Sequence, residues 1–122
     1  MRITKMLPFL DDESKAKLVE AILNEEITDI KLVQVYPFLN QVAIDDIFAK
    51  YLSKEYNIEI MKLIPFLNEN QVEALYQKVI NQEITDIREE MLLPFLGKDK
   101  IKVLFNEFLN SHRNIYLIVY SF

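Results

Sequence analysis

Leu63-Ile64-Pro65-Phe66-Leu67-Asn68-Glu69-Asn70-Gln71 holds the end of one helical segment and the start of the next. Proline cannot donate to a helix ladder and biases its predecessor away from α, so a helix arriving at Ile64 is expected to end or kink at Pro65. Asn68 belongs to the residue types preferred at a helix N-cap, and Gln71 gives it capping-box spacing. The tripeptide in the middle of this stretch occurs four times, as Pro8-Phe9-Leu10, Pro37-Phe38-Leu39, Pro65-Phe66-Leu67 and Pro94-Phe95-Leu96. Successive prolines are 29, 28 and 29 residues apart. A fixed period of that size marks a tandem structural repeat.

Working outward from each proline, the same pattern returns. Three residues on stands Asp11, Asn40, Asn68 or Gly97, each an acceptable N-cap. Apolar residues then recur at helical spacing: Leu18, Val19, Ile22, Leu23; Ile47, Phe48, Tyr51, Leu52; Leu75, Tyr76, Val79, Ile80; Leu104, Phe105, Phe108, Leu109. Ile44, Val72 and Ile101 extend the stripe, whereas the first unit has Lys15 there. Spacings of three, four and seven put these side chains on one helix face, over roughly 12 residues. On the other side of each proline lies a shorter apolar segment. It includes Met6-Leu7, Val35-Tyr36, Leu63-Ile64 and Leu92-Leu93, with Ile30, Ile58 and Ile87 further back. Its expected starts are Thr28-Asp29, Asn57 and Thr85-Asp86, where a cap and an acidic first turn suit the helix dipole. Phe and Leu of the tripeptide are expected to plug the corner between the two helices.

A second period lies over the first. Residues 3–58 align with 60–115 at an offset of 57, with 20 identities in 56 positions. The expected fold is all-α: four tandem helical hairpins of 28–29 residues, two copies of a 57-residue block, stacked as a short superhelical array. The expected units are about 3–27, 28–56, 57–84 and 85–113 of a single domain spanning 1–122, with 114–122 a truncated fifth unit or a C-terminal cap. A lone unit orders about 28 residues at about 1–2 kcal/mol each in backbone entropy. Its ten or so apolar side chains return roughly 1.5–3 kcal/mol apiece only when fully buried. Units must therefore cover one another.

In layout the chain resembles the α-solenoid class of two-helix repeats, HEAT-like arrays among them. The resemblance spans residues 3–115 and rests on periodicity. It implies a protein-binding scaffold.

Composition limits the alternatives. One glycine and four prolines, all four in the tripeptides, argue against hairpin-rich sheets. There are no cysteines, so thiolate metal sites and disulfides are excluded. The net charge of -5 is spread evenly, without the basic patch that a nucleic acid needs. No apolar run reaches the ~18 residues of a membrane span. The start of the chain lacks a secretory signal pattern, so the cytoplasm is the expected location.

Chemistry-bearing residues are sparse. His112 is the one histidine, expected at the end of the last helix beside Arg113, where a cation suits the dipole. No nucleophile is placed to use it. Acidic neighbours such as Asp11-Asp12-Glu13 and Asp45-Asp46 diverge by about 100° on a helix and read as solvated faces. No catalytic, cofactor or metal site is expected. The expected function is non-enzymatic protein–protein interaction, with self-assembly through a hydrophobic C-terminal segment as the alternative. Two places carry that expectation. Glu89 and Glu90 replace apolar Leu32-Val33 and Ile60-Met61 of the other units. Ile115, Tyr116, Leu117, Ile118, Val119, Tyr120 and Phe122 form an apolar stretch fit to cap the last unit, to pair with a second copy or to dock a partner, as helix or strand.

Overall fold

The computed structural model describes residues 2–120, and side chains through residue 113. Every regular element among the described residues is helical. The long helices are α2 (Asp12–Leu23), α4 (Gln41–Ser53), α6 (Glu69–Ile80) and α7 (Lys98–Tyr120). The short ones are α1 (Ile3–Met6), α3 (Leu32–Val35) and α5 (Ile60–Leu63). In place of a fourth short α-helix stands a 3-10 turn, Glu89–Met91. The chain forms two compact units, Met1–Leu67 and Asn68–Phe122.

Each tripeptide adopts one local conformation. Proline is the second residue of a 3-10 turn: Leu7–Phe9, Tyr36–Phe38, Ile64–Phe66 and Leu93–Phe95. The short α-helices end just before it, at Met6, Val35 and Leu63, and pass into the turn without leaving the helical region. Leu7, Tyr36 and Ile64 keep helical dihedrals, near φ -50, -48 and -49. Proline is tolerated there because it opens a new turn whose first N–H groups have no ladder partner to lose. The leucine that follows is extended, at ψ 143–150. The next residue caps the long helix.

Those caps form as the sequence suggests. Asp11 Oδ1 accepts the Ser14 N–H at 2.7 Å, Asn40 Oδ1 the Ala43 N–H at 2.9 Å, and Asn68 Oδ1 the Gln71 N–H at 2.8 Å. Gln71 Oε1 reciprocates on the Asn68 N–H at 3.0 Å, closing a capping box. Gly97 departs from this set, and a Cβ placed on it would collide with the Glu69 carboxylate. The Gly97 carbonyl still accepts the first helical bond of α7, from Ile101 N–H at 3.1 Å.

The Asp11 cap has a measurable pH signature. Hydrogen bonds from Ser14, side chain first and backbone second, hold the Asp11 carboxyl below its ordinary 3.8. A carboxyl with a depressed folded pKa stabilises above its unfolded value, and that stability is lost as pH falls through the folded one. Asp11→Asn keeps the acceptor and removes the titration. The difference in unfolding midpoint between wild type and Asp11→Asn should therefore be constant at neutral pH and narrow below about pH 4. A difference that stays constant to pH 2 contradicts the cap.

Three corrections to the sequence reading concern helix boundaries and burial. The short helices start later than expected. Their N-caps are Lys31 and Glu59, with Arg88 before the 3-10 turn, rather than Thr28, Asn57 and Thr85. Lys31 N–H donates to Gln34 Oε1 at 2.8 Å, so the first turn is closed from within. Ile30, Ile58 and Ile87 are buried nonetheless, in the non-helical approach to each turn.

The corner plug is half right: Leu96 is buried and Leu10, Leu39 and Leu67 are half-buried, but the phenylalanines do not turn inward. Phe9 is 86% exposed, Phe38 and Phe66 are half-buried, and Phe95 is exposed. The residues before proline take the inward positions: Leu7, Val35, Tyr36, Leu63, Ile64 and Leu92 are buried. Because the 3-10 turn continues the helix, proline and phenylalanine rotate outward. Phe66 retains a tilted ring contact with Tyr36, at 5.4 Å between centroids.

The long helices end on residues that give no warning. Glu25, Lys54 and Gln82 have φ of 61, 64 and 63, each 17 residues after its proline. Glu26 N–H bonds to the Ala21 carbonyl and Glu25 N–H to that of Ile22, at 2.9 and 3.0 Å; Glu83 and Gln82 repeat the pattern with Lys78 and Val79. This is a Schellman-type ending built without glycine, at the steric cost a left-handed Cβ carries.

At the matching position, Ser111, there is no such ending. The backbone continues as one helix through Asn114 to Tyr120. The expected fresh start after Asn114 is absent, and 115–120 are helix, not strand.

Candidate interaction surfaces

The core is made of apolar side chains and tyrosine. Among the described residues none that is polar or charged is buried. Ile44, Ile47, Phe48 and Tyr51 of α4 are buried, as are Val72, Leu75, Tyr76 and Val79 of α6. In the unit Met1–Leu67, α2 packs against α3; in Asn68–Phe122, α6 packs against the Glu89–Met91 turn. A long helix thus meets the short segment that follows it in the chain.

The helix α7 carries the same stripe and leaves it uncovered. Phe105 is 57% and Phe108 55% exposed, Ile101 is exposed as well, and Leu104 and Leu109 are only half-buried. Leu93 and Phe95 add further exposed apolar surface to the same unit. Isolated exposed apolar residues need no explanation, but a helical stripe of them marks a contact surface.

The sequence-derived candidates fall as follows. Glu89 and Glu90 lie in the first turn of the Glu89–Met91 segment and are exposed. Glu90 Oε1 is 3.7 Å from Arg88 Nε, a solvent-exposed pair that contributes little. Burial, and then the charges of Glu89 and Glu107, raise the Tyr76 phenol above its ordinary value. Ile115, Tyr116, Leu117, Ile118, Val119 and Tyr120 lie on the last turns of α7; their side chains, and Phe122, are outside the described residues. His112 sits mid-helix rather than at a helix end, so the dipole argument for it fails. Its Nδ1 is 3.2 Å from the Phe108 carbonyl, and its ring lies 4.1 Å from that of Phe108.

The unit Met1–Leu67 has concave surface of its own. Two clefts, of about 440 and 380 Å³, share Ile22, Glu25, Leu32 and Asn57. A groove of about 300 Å³ lies between α2 and α4 and is lined by Ala16, Val19, Leu39 and Val42. The larger cleft contains Tyr36, Glu59 and Lys62. Burial, and then Glu59, push the Tyr36 phenol up to about 12. The Lys62 ammonium, 2.8 Å away, holds the Glu59 carboxyl below the usual range. Both groups are displaced away from neutrality, opposite to what a general acid or base needs.

Among the described residues no group of three or more His, Asp or Glu side chains converges on a metal position, and no helix is long and apolar enough to cross a membrane. Comparison with protein-family models, with curated proteins and with solved structures finds no match to this chain.

Proposed function

We propose that the chain is a short tandem array of helical hairpins that acts by binding protein, without chemistry of its own. The observation that carries this reading is the uncovered stripe of α7. Ile101, Phe105 and Phe108 occupy the positions at which α4 and α6 bury Ile44, Phe48, Tyr51 and Val72, Tyr76, Val79. The same sequence pattern therefore serves as core in two helices and as surface in the third. The recurrence of one cap, one 3-10 turn and one long helix around each tripeptide supports the array. The resemblance to α-solenoids supports a scaffold role by analogy of architecture. Moderate acidity, without a basic patch, favours protein over nucleic acid as partner.

Affinity capture tests the reading when wild type is compared with Phe105→Asp/Phe108→Asp. The stripe is exposed, so the double variant should melt close to wild type while losing at least about 90% of what wild type retains, a tenfold effect or more. Equal retention by both forms, or none by either, contradicts it.

A further inference from the structure

The recurring pattern supplies its own control for the larger cleft of the unit Met1–Leu67. One residue before each proline stand Leu7, Tyr36, Ile64 and Leu93, so Tyr36 alone brings a polar atom to that position. Aliphatic side chains bury there as completely: Leu7 is 2%, Ile64 1% and Tyr36 3% exposed. Packing therefore does not call for the hydroxyl. Six residues before each proline, at the N-cap of each short segment, stand Arg2, Lys31, Glu59 and Arg88, so Glu59 alone is acidic. Both departures from the pattern line one cleft of about 440 Å³.

The Tyr36 hydroxyl makes no hydrogen bond among the described residues. No side-chain oxygen or nitrogen among them is both sealed from solvent and without a partner. The hydroxyl therefore opens on the cleft that the residue lines. Burial, and then Glu59, push it up to about 12, so it stays protonated and a donor at neutral pH. The Glu59 carboxylate beside it is an acceptor, fixed by Lys62 Nζ at 2.8 Å. Buried Ile30 and Ile58, with half-buried Ile22, Leu32 and Val33, give an apolar lining. Lys31 and Lys62 balance Glu25 and Glu59, so the charged lining sums to zero.

We propose that this cleft binds a small neutral molecule with an apolar body and an amide group, whose carbonyl accepts from Tyr36 and whose N–H donates to Glu59. An amide serves a donor and an acceptor at once without adding charge. A cation would meet Lys62 where Glu59 is already paired, and an anion would lie against the Glu59 carboxylate. The volume falls within the ~300–1,000 Å³ of small-molecule sites. The cleft belongs to a different unit from α7, goes beyond the protein-binding reading and does not depend on it.

Cyclohexanecarboxamide is the probe, titrated into the isotope-labelled full chain and followed by NMR. The backbone amide signals of Ile30, Tyr36 and Ile58 should shift together, with half-saturation at roughly 1–10 mM, as suits a ligand of so few atoms. Cyclohexanecarboxylate and cyclohexylmethylammonium, which carry the same ring and a charge, should bind at least about fivefold more weakly. Tyr36→Phe keeps the buried ring and should weaken the amide about two- to tenfold, with melting close to wild type. Glu59→Lys, which restores the basic residue of the other units, should do likewise. No shift up to about 50 mM overturns the proposal. So does a charged analogue that binds as tightly as the amide, or full affinity in either variant.

Discussion

Leu63→Ala should destabilise the unit Met1–Leu67 by about 2–5 kcal/mol, whereas Phe9→Ala should change it by less than about 0.5 kcal/mol. Leu63 closes α5, two residues before its proline, and is wholly buried; Phe9 is the aromatic of a tripeptide and is almost wholly in solvent. Removing Leu63 leaves a cavity among apolar neighbours, so the lost transfer energy and the lost contacts add. Removing the Phe9 ring takes away surface that water already reaches. Denaturant unfolding of the two variants separates the roles. Phe66→Ala should fall between them, since its half-buried ring keeps one contact with Tyr36. A Phe9→Ala loss equal to that of Leu63→Ala would restore the tripeptide to the core and contradict the burial described.

Leu75→Ala and Leu104→Ala give the second large contrast. The two leucines stand ten residues after Pro65 and Pro94, at the same place in the pattern. Leu75 is fully buried in α6 and Leu104 only half-buried in α7. The first substitution should cost about 2–5 kcal/mol and the second less than about 1.5 kcal/mol. The comparison belongs in dilute solution, because association through α7 would bury Leu104 and raise its apparent cost. Equal losses at low concentration contradict an uncovered α7 stripe. These effects exceed what the exposed ion pairs contribute, such as Lys17–Glu13 at 3.4 Å.

The sequence read well where local chemistry decides. Asp11, Asn40 and Asn68 are caps because a short side-chain oxygen placed before an apolar periodicity has few other uses. The stripes of α4 and α6 were legible from their spacing alone. Helix ends were not. Glycine normally marks a left-handed ending, but Glu25, Lys54 and Gln82 end helices here, and the hydrogen bonds that hold them there leave no composition signal. Proline did mark the end of the short α-helices, which stop at Met6, Val35 and Leu63. It did not reveal the 3-10 turn of which it is the second residue, which turns Phe outward.

The candidate surface was harder still. Ile101, Phe105 and Phe108 carry the pattern of a core stripe, and pattern cannot say whether another element arrives to cover it. The apolar run from Ile115 lies on the same helix, with its side chains outside the described residues. The exposed Ile101, Phe105 and Phe108 lie about two to four turns before it.

Oxidative footprinting in dilute solution tests the uncovered stripe without altering the chain. Phe48 and Phe105 stand eleven residues after their prolines, and Phe48 is buried where Phe105 is exposed. The account predicts that Phe105 and Phe108 react at least about tenfold faster than Phe48. Equal, slow reactivity of all three would contradict it.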